Sequence, residues 1–221
     1  MPSAPPRTVQ HAPPNPTPIY RMVHIDNLPT LLARGALHAP NHVPPDGRSW
    51  KSIHATQTQA DRGRAAIPCG PRGIILDYVG FYFGPRSPML YRVHTGHNVA
   101  KIDQSNIVYL VSSAQAIAAY PLGFVFTDRH SLARVASFYD SVAGLGNVDF
   151  QTCYATQWNT TSQFPDRQEK KQAEFLVHRA MPWGLVHRLG VLNASVAGRV
   201  RDILAAHVST TPVAVEQNWY Y

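Results

Sequence analysis

The order of elements along the 221 residues predicts an α+β fold, and three observations carry that prediction. Strand-like and helix-like segments follow one another without regular βαβ alternation, which disfavours a doubly wound sheet. The composition is globular: 44% of residues are hydrophobic and only 15% charged, with ten Tyr, eight Phe and four Trp. Neither a GxGxxG after a strand nor a GxxxxGK[ST] occurs, so the Rossmann and P-loop forms of α/β sheet are disfavoured. At roughly 150 residues per domain the length fits one domain plus a tail.

Residues 1–18 hold seven of the nineteen prolines, too many for a helix or a ladder, and read as an extended lead-in; the folded domain is expected over 19–221. IYRMVHI then reads as a strand, and Asp26-Asn27 as the cap of a helix in LPTLLARGAL that Gly35 closes. His38 to Gly73 is turn-rich, with a short polar helix through SIHATQTQADRGR and few apolar anchors. A connection of that length in a compact domain is more often functional than idle. GIILDYVGFYF predicts one or two strands, broken by Gly84-Pro85 and the loop PRSPMLY. NIVYLVSS and GFVFT read as strands, SAQAIAAY as a helix capped by Ser112 or Ser113, and SLARVASFYD as a helix starting at Asp128 or Ser131. The segment 141–171 is expected to be a long exposed loop. AEFLVH predicts a compact strand, SVAGRVRDILAAHV an amphipathic helix, and VAVEQNWYY a closing strand.

The net charge of +7 rests on sixteen Arg and four Lys. Arginine's planar fork suits phosphates and base edges, so a polyanionic partner is one reading of the excess; the other is that it keeps the protein soluble. Two cysteines, Cys69 and Cys153, make no disulfide framework and no thiolate metal cage. No run of eighteen apolar residues and no secretory signal is present, so a cytoplasmic protein without a membrane span is expected. His94 and His97 form an HxxH spacing with no further ligand set to complete a tetrahedral metal site, and read as two surface histidines beside a turn. No GxSxG nucleophile elbow occurs.

Glutamate is rare, with only Glu169, Glu174 and Glu216. Glu174 follows the cationic run DRQEKKQ and opens the apolar FLV, which places a carboxylate at the end of a buried strand. Such a group is either paired structurally or held for work on a ligand.

Four segments together, HIDNLPTLLARGAL, ADRGRAAIPCGPRG, LDYVGFYFGPRSPMLY and QAEFLV, resemble the DarT-type DNA ADP-ribosyltransferase toxins, over about Ile19 to Tyr221. The resemblance implies an ADP-ribosyltransferase-like fold, a central, mostly antiparallel split sheet with flanking helices. It implies NAD as ADP-ribose donor, no metal, and transfer to a base of single-stranded DNA, most often thymine. It also implies a macrodomain antitoxin of the DarG type as partner. On that reading Glu174 and Arg62 are catalytic, with Arg64 as the competitor of Arg62, and Lys170 and Lys171 help to hold the Glu174 pKa down. His24, Ile25, Asp26 and Arg62 would contact NAD, beneath a lid from about Asn41 to Arg62, and Tyr82, Arg86, Met89 and His130 would face DNA with the 141–171 loop. A core histidine is the other reading of His24, and core packing the other reading of Tyr82 and Met89. Gly80 stands where proline is expected and Lys170-Lys171 where arginines are; neither is expected to touch the chemistry. A non-enzymatic single-strand binding module and a related transferase acting on RNA or protein are the competing functions.

Overall fold

A computed structural model describes residues 12–221; the first eleven residues of the lead-in lie outside them. Among the described residues ten strands and seven α-helices follow in the order β1 (Pro18–His24), α1 (Leu28–Arg34), β2 (Ala36–His38), α2 (Thr56–Arg62), β3 (Tyr78–Tyr82), α3 (Pro88–Thr95), β4 (Ile107–Ser113), α4 (Ala114–Ala118), β5 (Phe124–Thr127), β6 (Phe138–Tyr139), α5 (Phe150–Tyr154), α6 (Arg167–Lys170), β7 (Glu174–His178), β8 (Ala180–Pro182), β9 (Arg188–Val191), α7 (Ala194–Ala206) and β10 (Val213–Val215).

Eight strands form one sheet in the order β10-β9-β4-β1-β3-β7-β5-β6, antiparallel throughout except for β10 on β9, while β2 and β8 pair separately. β4 is buried along its whole length, as expected of a central strand that reads IVYLVSS. One face packs a large cluster in which Val196, Ala197, Val200 and Leu204 of α7 and Leu28 and Leu31 of α1 meet Ile19, Val108, Phe81 and Phe175. The other face is covered by Leu90 and Val93 of α3 and by the C-terminal Tyr220, against Tyr20, Met22 and Tyr109. Each such side chain, fully buried, contributes about 1.5–3 kcal/mol.

Gly35 ends α1 in the left-handed region, at φ 62°, and its N–H donates to Leu32 O at 3.1 Å, as the sequence predicts. Ser113 caps α4, accepting from Ala116 N at 3.2 Å. Thr17, assigned to the lead-in, is fully buried and tied by Gln115, whose Oε1 accepts from its N–H at 2.8 Å.

Elsewhere the structure differs from expectation. PRSPMLY is not a loop, because Ser87 accepts from Leu90 N at 3.2 Å and Pro88 begins α3. SLARVASFYD is not a helix: Asp128 Oδ1 accepts from Ser137 N at 2.9 Å and closes a hairpin loop, after which Phe138 and Tyr139 pair back onto β5. The 141–171 segment is folded, with Leu145, Phe150 and Cys153 buried and two short helices, α5 and α6. The closing strand stops at Val215 and gives way to a 3-10 turn over Gln217–Trp219.

Candidate active site

β1 and β3 are neighbours in the sheet yet share one paired position, Tyr20 with Tyr82, whereas β3 pairs with β7 over five positions and β1 with β4 over seven. The sheet therefore splits between β1 and β3. A carbonyl left without a ladder partner needs another donor. Arg21 supplies it across the gap, its Nη1 donating to Gly80 O at 2.7 Å. A cleft of about 320 Å³ opens there, floored by Arg21, Gly80, Tyr82 and Glu174 and walled by α2 on one side and by Met89 and Arg92 of α3 on another.

Glu174 opens β7, and its N–H donates to Thr127 Oγ1 at 3.1 Å. Its carboxylate is 4% exposed, so every lone pair must find a donor inside the protein. Oε1 accepts from Arg62 Nη1 at 2.7 Å, and Oε2 accepts from Ser131 N at 3.2 Å and from the Ser131 hydroxyl. Burial pushes the carboxyl pKa up, but the Arg62 charge, His130 and the Ser131 and Arg62 hydrogen bonds together hold it below the usual carboxylate range. Glu174 is thus a buried carboxylate kept ionised.

Arg62 reaches it from the last turn of α2, while Arg64 is exposed. Two sequence expectations are revised here. A Cβ at Gly80 would stand 3.2 Å from Arg62 Nη2 and 3.6 Å from Glu174 Oε1, so position 80 adjoins the Arg62–Glu174 pair. Lys170 pairs instead with Asp166 at 2.9 Å and Lys171 is buried against carbonyls, so neither holds the Glu174 pKa down.

The other titratable groups of the cleft are sorted by burial and by the two arginines. Arg21 is held at about 10 by burial and by the neighbouring Arg62 charge, and remains cationic at neutral pH. His54 is pushed down to about 3 by burial and by Arg21 and Arg62, and burial likewise lowers His130. Both imidazoles are neutral at pH 7. Burial raises the Tyr82 phenol, which stays protonated and donates to Met89 Sδ at 3.7 Å. The cleft therefore offers fixed positive charge for a phosphate and one carboxylate for a centre that becomes positive.

Of the residues singled out from the sequence, Arg62, Glu174, Tyr82, Met89 and His130 line this cleft. His24, Ile25, Asp26 and Arg86 are not among its lining residues. His24 lies three residues beyond Arg21, about 10 Å along the strand, where its Nδ1 accepts from Asp26 N at 3.2 Å. Ile25 is a core residue, 1% exposed, and Asp26 pairs with Lys51 at 2.5 Å. The Arg86 guanidinium lies 4.5 Å from the centre of the Tyr221 ring and its buried Nε has no partner. Sequence reasoning missed Arg21, His54, Thr127 and the true role of Ser131. For Arg21 a signal exists, a charge placed inside the apolar strand IYRMVHI. Among the described residues no group of three or more His, Cys, Asp or Glu is placed to hold a metal ion.

The family described as "DarT: ssDNA thymidine ADP-ribosyltransferase, DarT" matches residues 20–221. The chain is 42% identical over 210 residues to a DNA ADP-ribosyl transferase of Thermus sp. (strain 2.9), covering 94% of this chain and 98% of that one. It superposes on Thermus sp. 2.9 DarT in complex with ADP-ribosylated ssDNA with a TM-score of 0.89, at 40% identity and over 96% of this chain and 100% of that one. The same Thermus protein in complex with NAD+ matches with a TM-score of 0.84 at 40% identity, over 95% and 100%.

Proposed function

Since the chain belongs to the DarT family of single-stranded DNA thymidine ADP-ribosyltransferases, we propose that it transfers ADP-ribose from NAD to a thymine of single-stranded DNA, releasing nicotinamide, with Glu174 and Arg62 as its catalytic pair. Its relatives of known structure hold NAD+ and ADP-ribosylated ssDNA. The single observation that carries the residue assignment is the ionised, buried Glu174 carboxylate, held by Arg62 and Ser131 at the mouth of the split sheet.

The ribosyl carbon loses its bond to the nicotinamide nitrogen, which leaves with the electron pair, and gains a bond to a nitrogen of the base, whose proton passes to solvent. Between the two the ribose ring is cationic. A carboxylate accepting from the ribose 2′-hydroxyl stabilises that charge more in the transition state than before it. Glu174 supplies the anion. An arginine side chain is not deprotonated in proteins, so the role proposed for Arg62 is to orient the carboxylate and the incoming base and not to abstract a proton. Arg21, a half-buried cation beside this pair, supplies charge for the diphosphate. His24 at the end of β1, with Ile25 and Asp26 after it, is proposed to meet the nicotinamide end, and the 41–62 segment to form the lid, since it contributes His54, Ala55, Thr58, Gln59, Asp61 and Arg62 to the cleft wall. Tyr82, Met89 and His130 are proposed to receive the target base and Arg86 a neighbouring nucleotide, by stacking and phosphate contact.

As partner we propose a macrodomain antitoxin of the DarG type, which rests on family membership. A cytoplasmic site of action is proposed on the two free cysteines and on the finding that no helix among the described residues is long and apolar enough to cross a membrane. Residues 19–221 are proposed to be one catalytic domain.

Glu174→Gln keeps the shape and the Arg62 contact but removes the charge, and is expected to lower transfer from labelled NAD to a thymine-containing oligonucleotide by about 100-fold or more, in line with loss of a transition-state electrostatic contact. Transfer at the wild-type rate by a folded Glu174→Gln protein would remove the assignment. Uracil-rich RNA and a protein acceptor in parallel reactions separate the related transferases.

A further inference from the structure

Lys171 is 1% exposed, and no carboxylate is among its hydrogen-bond partners. Its Nζ donates to Cys153 O at 2.6 Å, to Ala155 O at 2.9 Å and to Pro85 O at 3.1 Å. A buried cation is ordinarily balanced by an anion. Here three carbonyl dipoles take that part, and two of them belong to the end of α5, where carbonyls lack intrahelical donors. The lysine itself stands three residues before Glu174, between α6 and β7. One side chain thus joins the turn after β3, the end of α5 and the run into the catalytic strand.

Two further contacts bring the same segments together. Gly84 packs so closely on Cys153 that a Cβ there would collide with the Cys153 carbonyl. The Tyr221 hydroxyl donates to Arg86 O at 3.0 Å and accepts from Trp158 Nε1 at 2.7 Å, which ties the turn to the 153–158 arm a second time. The turn leads through Ser87 into α3, whose Met89 and Arg92 line the cleft.

We propose that Lys171 is a positioning residue that locks the turn at Pro85–Arg86 onto the 153–158 arm and thereby sets the grip on the DNA strand, without contact to NAD or to the reacting atoms. The proposal rests on the reading above that Tyr82, Arg86 and Met89 face DNA. A displacement of about 1 Å in a substrate-positioning segment is enough for large losses, and three carbonyls, one of them fully buried, that lose their shared donor will shift to find others.

Lys171→Ala vacates a cage that a small ammonium ion can enter. The expected result is a rise of about tenfold in the oligonucleotide Kd, read by fluorescence anisotropy, and in the oligonucleotide KM, with kcat at saturating oligonucleotide and the KM for NAD retained. Methylammonium should restore both values, whereas tetramethylammonium at the same ionic strength, lacking an N–H donor, should not; the comparison cancels the loss that salt alone causes. An unchanged oligonucleotide Kd, or a fall in kcat with both KM values unmoved, overturns the proposal. If Lys171→Ala melts out below the assay temperature, Tyr221→Phe removes the peripheral joint between the same two segments, and its oligonucleotide Kd must then rise or the proposal fails. Since binding is read apart from chemistry, a wild-type protein that bound DNA but transferred nothing would sink the transferase reading and leave this one standing.

Discussion

At position 80 a single methyl group would press on the Arg62–Glu174 pair. Its carbon would stand 3.2 Å from Arg62 Nη2, tighter than ordinary van der Waals contact, and the guanidinium would have to slide along the Glu174 carboxylate. Gly80→Ala is therefore expected to lower kcat by about tenfold, the cost of slight misplacement of a catalytic group, with the melting temperature little changed. A kcat equal to that of the wild type would mean that the pair does not depend on this spacing. Glu174 adds a pH dependence with a definite sign. Its carboxyl is held below the ordinary range in the folded protein, so its ionised form contributes stability that is complete above the unfolded-state value and is lost as pH falls through the folded-state value. His54 and His130 are both pushed down and neutral at pH 7. With both substrates saturating, transfer is expected to stay level around pH 7, where neither cleft histidine is charged, and to decline on the acid side. A rate that halves across the neutral window would assign the limiting charge to another group. Glu174 and Arg62 could be found in the sequence because a rare glutamate at a strand start and an arginine in a polar helix match a family pattern. Gly80 and Lys171 could not, since a glycine carries no chemistry of its own and a lysine string does not say which ammonium turns inward.

The hairpin loop between β5 and β6 presents Ser131 to Glu174, through both its backbone N–H and its hydroxyl. As sequence, SLARVASFYD has the apolar spacing of a short helix, and nothing in it announces that Ser131 and Asp128 are committed to other partners; these tertiary hydrogen bonds outweigh a propensity worth only tenths of a kcal/mol per residue. α3 was hidden for the opposite reason, because PRSPML reads as turn chemistry until Ser87 is recognised as its cap and Pro88 as its first residue. β1, α1, β4 and α7 were legible, as their apolar periodicity is strong and their caps are local. The hairpin loop carries its own test. Ser131→Ala keeps the N–H and deletes the hydroxyl, leaving Oε2 with one donor fewer. The Glu174 pKa is then expected to rise and the acid limb of the transfer rate to move to higher pH, with kcat at pH 7 reduced by about tenfold or more, the worth of one hydrogen bond to a charged group. An acid limb that stayed in place would show that the serine holds the loop and not the carboxylate.

Across the whole molecule the +7 charge acquires an address. Composition alone left a solubilising excess and a polyanion partner equally open. The split sheet places Arg21 and Arg92 at one cleft without a carboxylate partner among the described residues, whereas Arg62 there is paired with Glu174, Arg34 with Asp46 at 2.7 Å and Arg188 with Glu216. Arg21 and Arg92 thus carry charge with no carboxylate partner where the DNA strand is proposed to pass, and their long-range field should act on DNA far more than on the enclosed dinucleotide. If about three phosphates are engaged, release of their counterions gives a slope near −2 in log affinity against log salt for a single strand. The KM for oligonucleotide is accordingly expected to rise by about tenfold or more between 50 and 200 mM salt, measured with NAD saturating, while the KM for NAD moves much less because a buried pair is poorly screened. Arg92→Gln should flatten the oligonucleotide slope by about one phosphate contact without altering its sign. A slope near zero in the wild type would return the basic excess to the role of keeping the protein soluble, and the strand would have to be held by stacking alone.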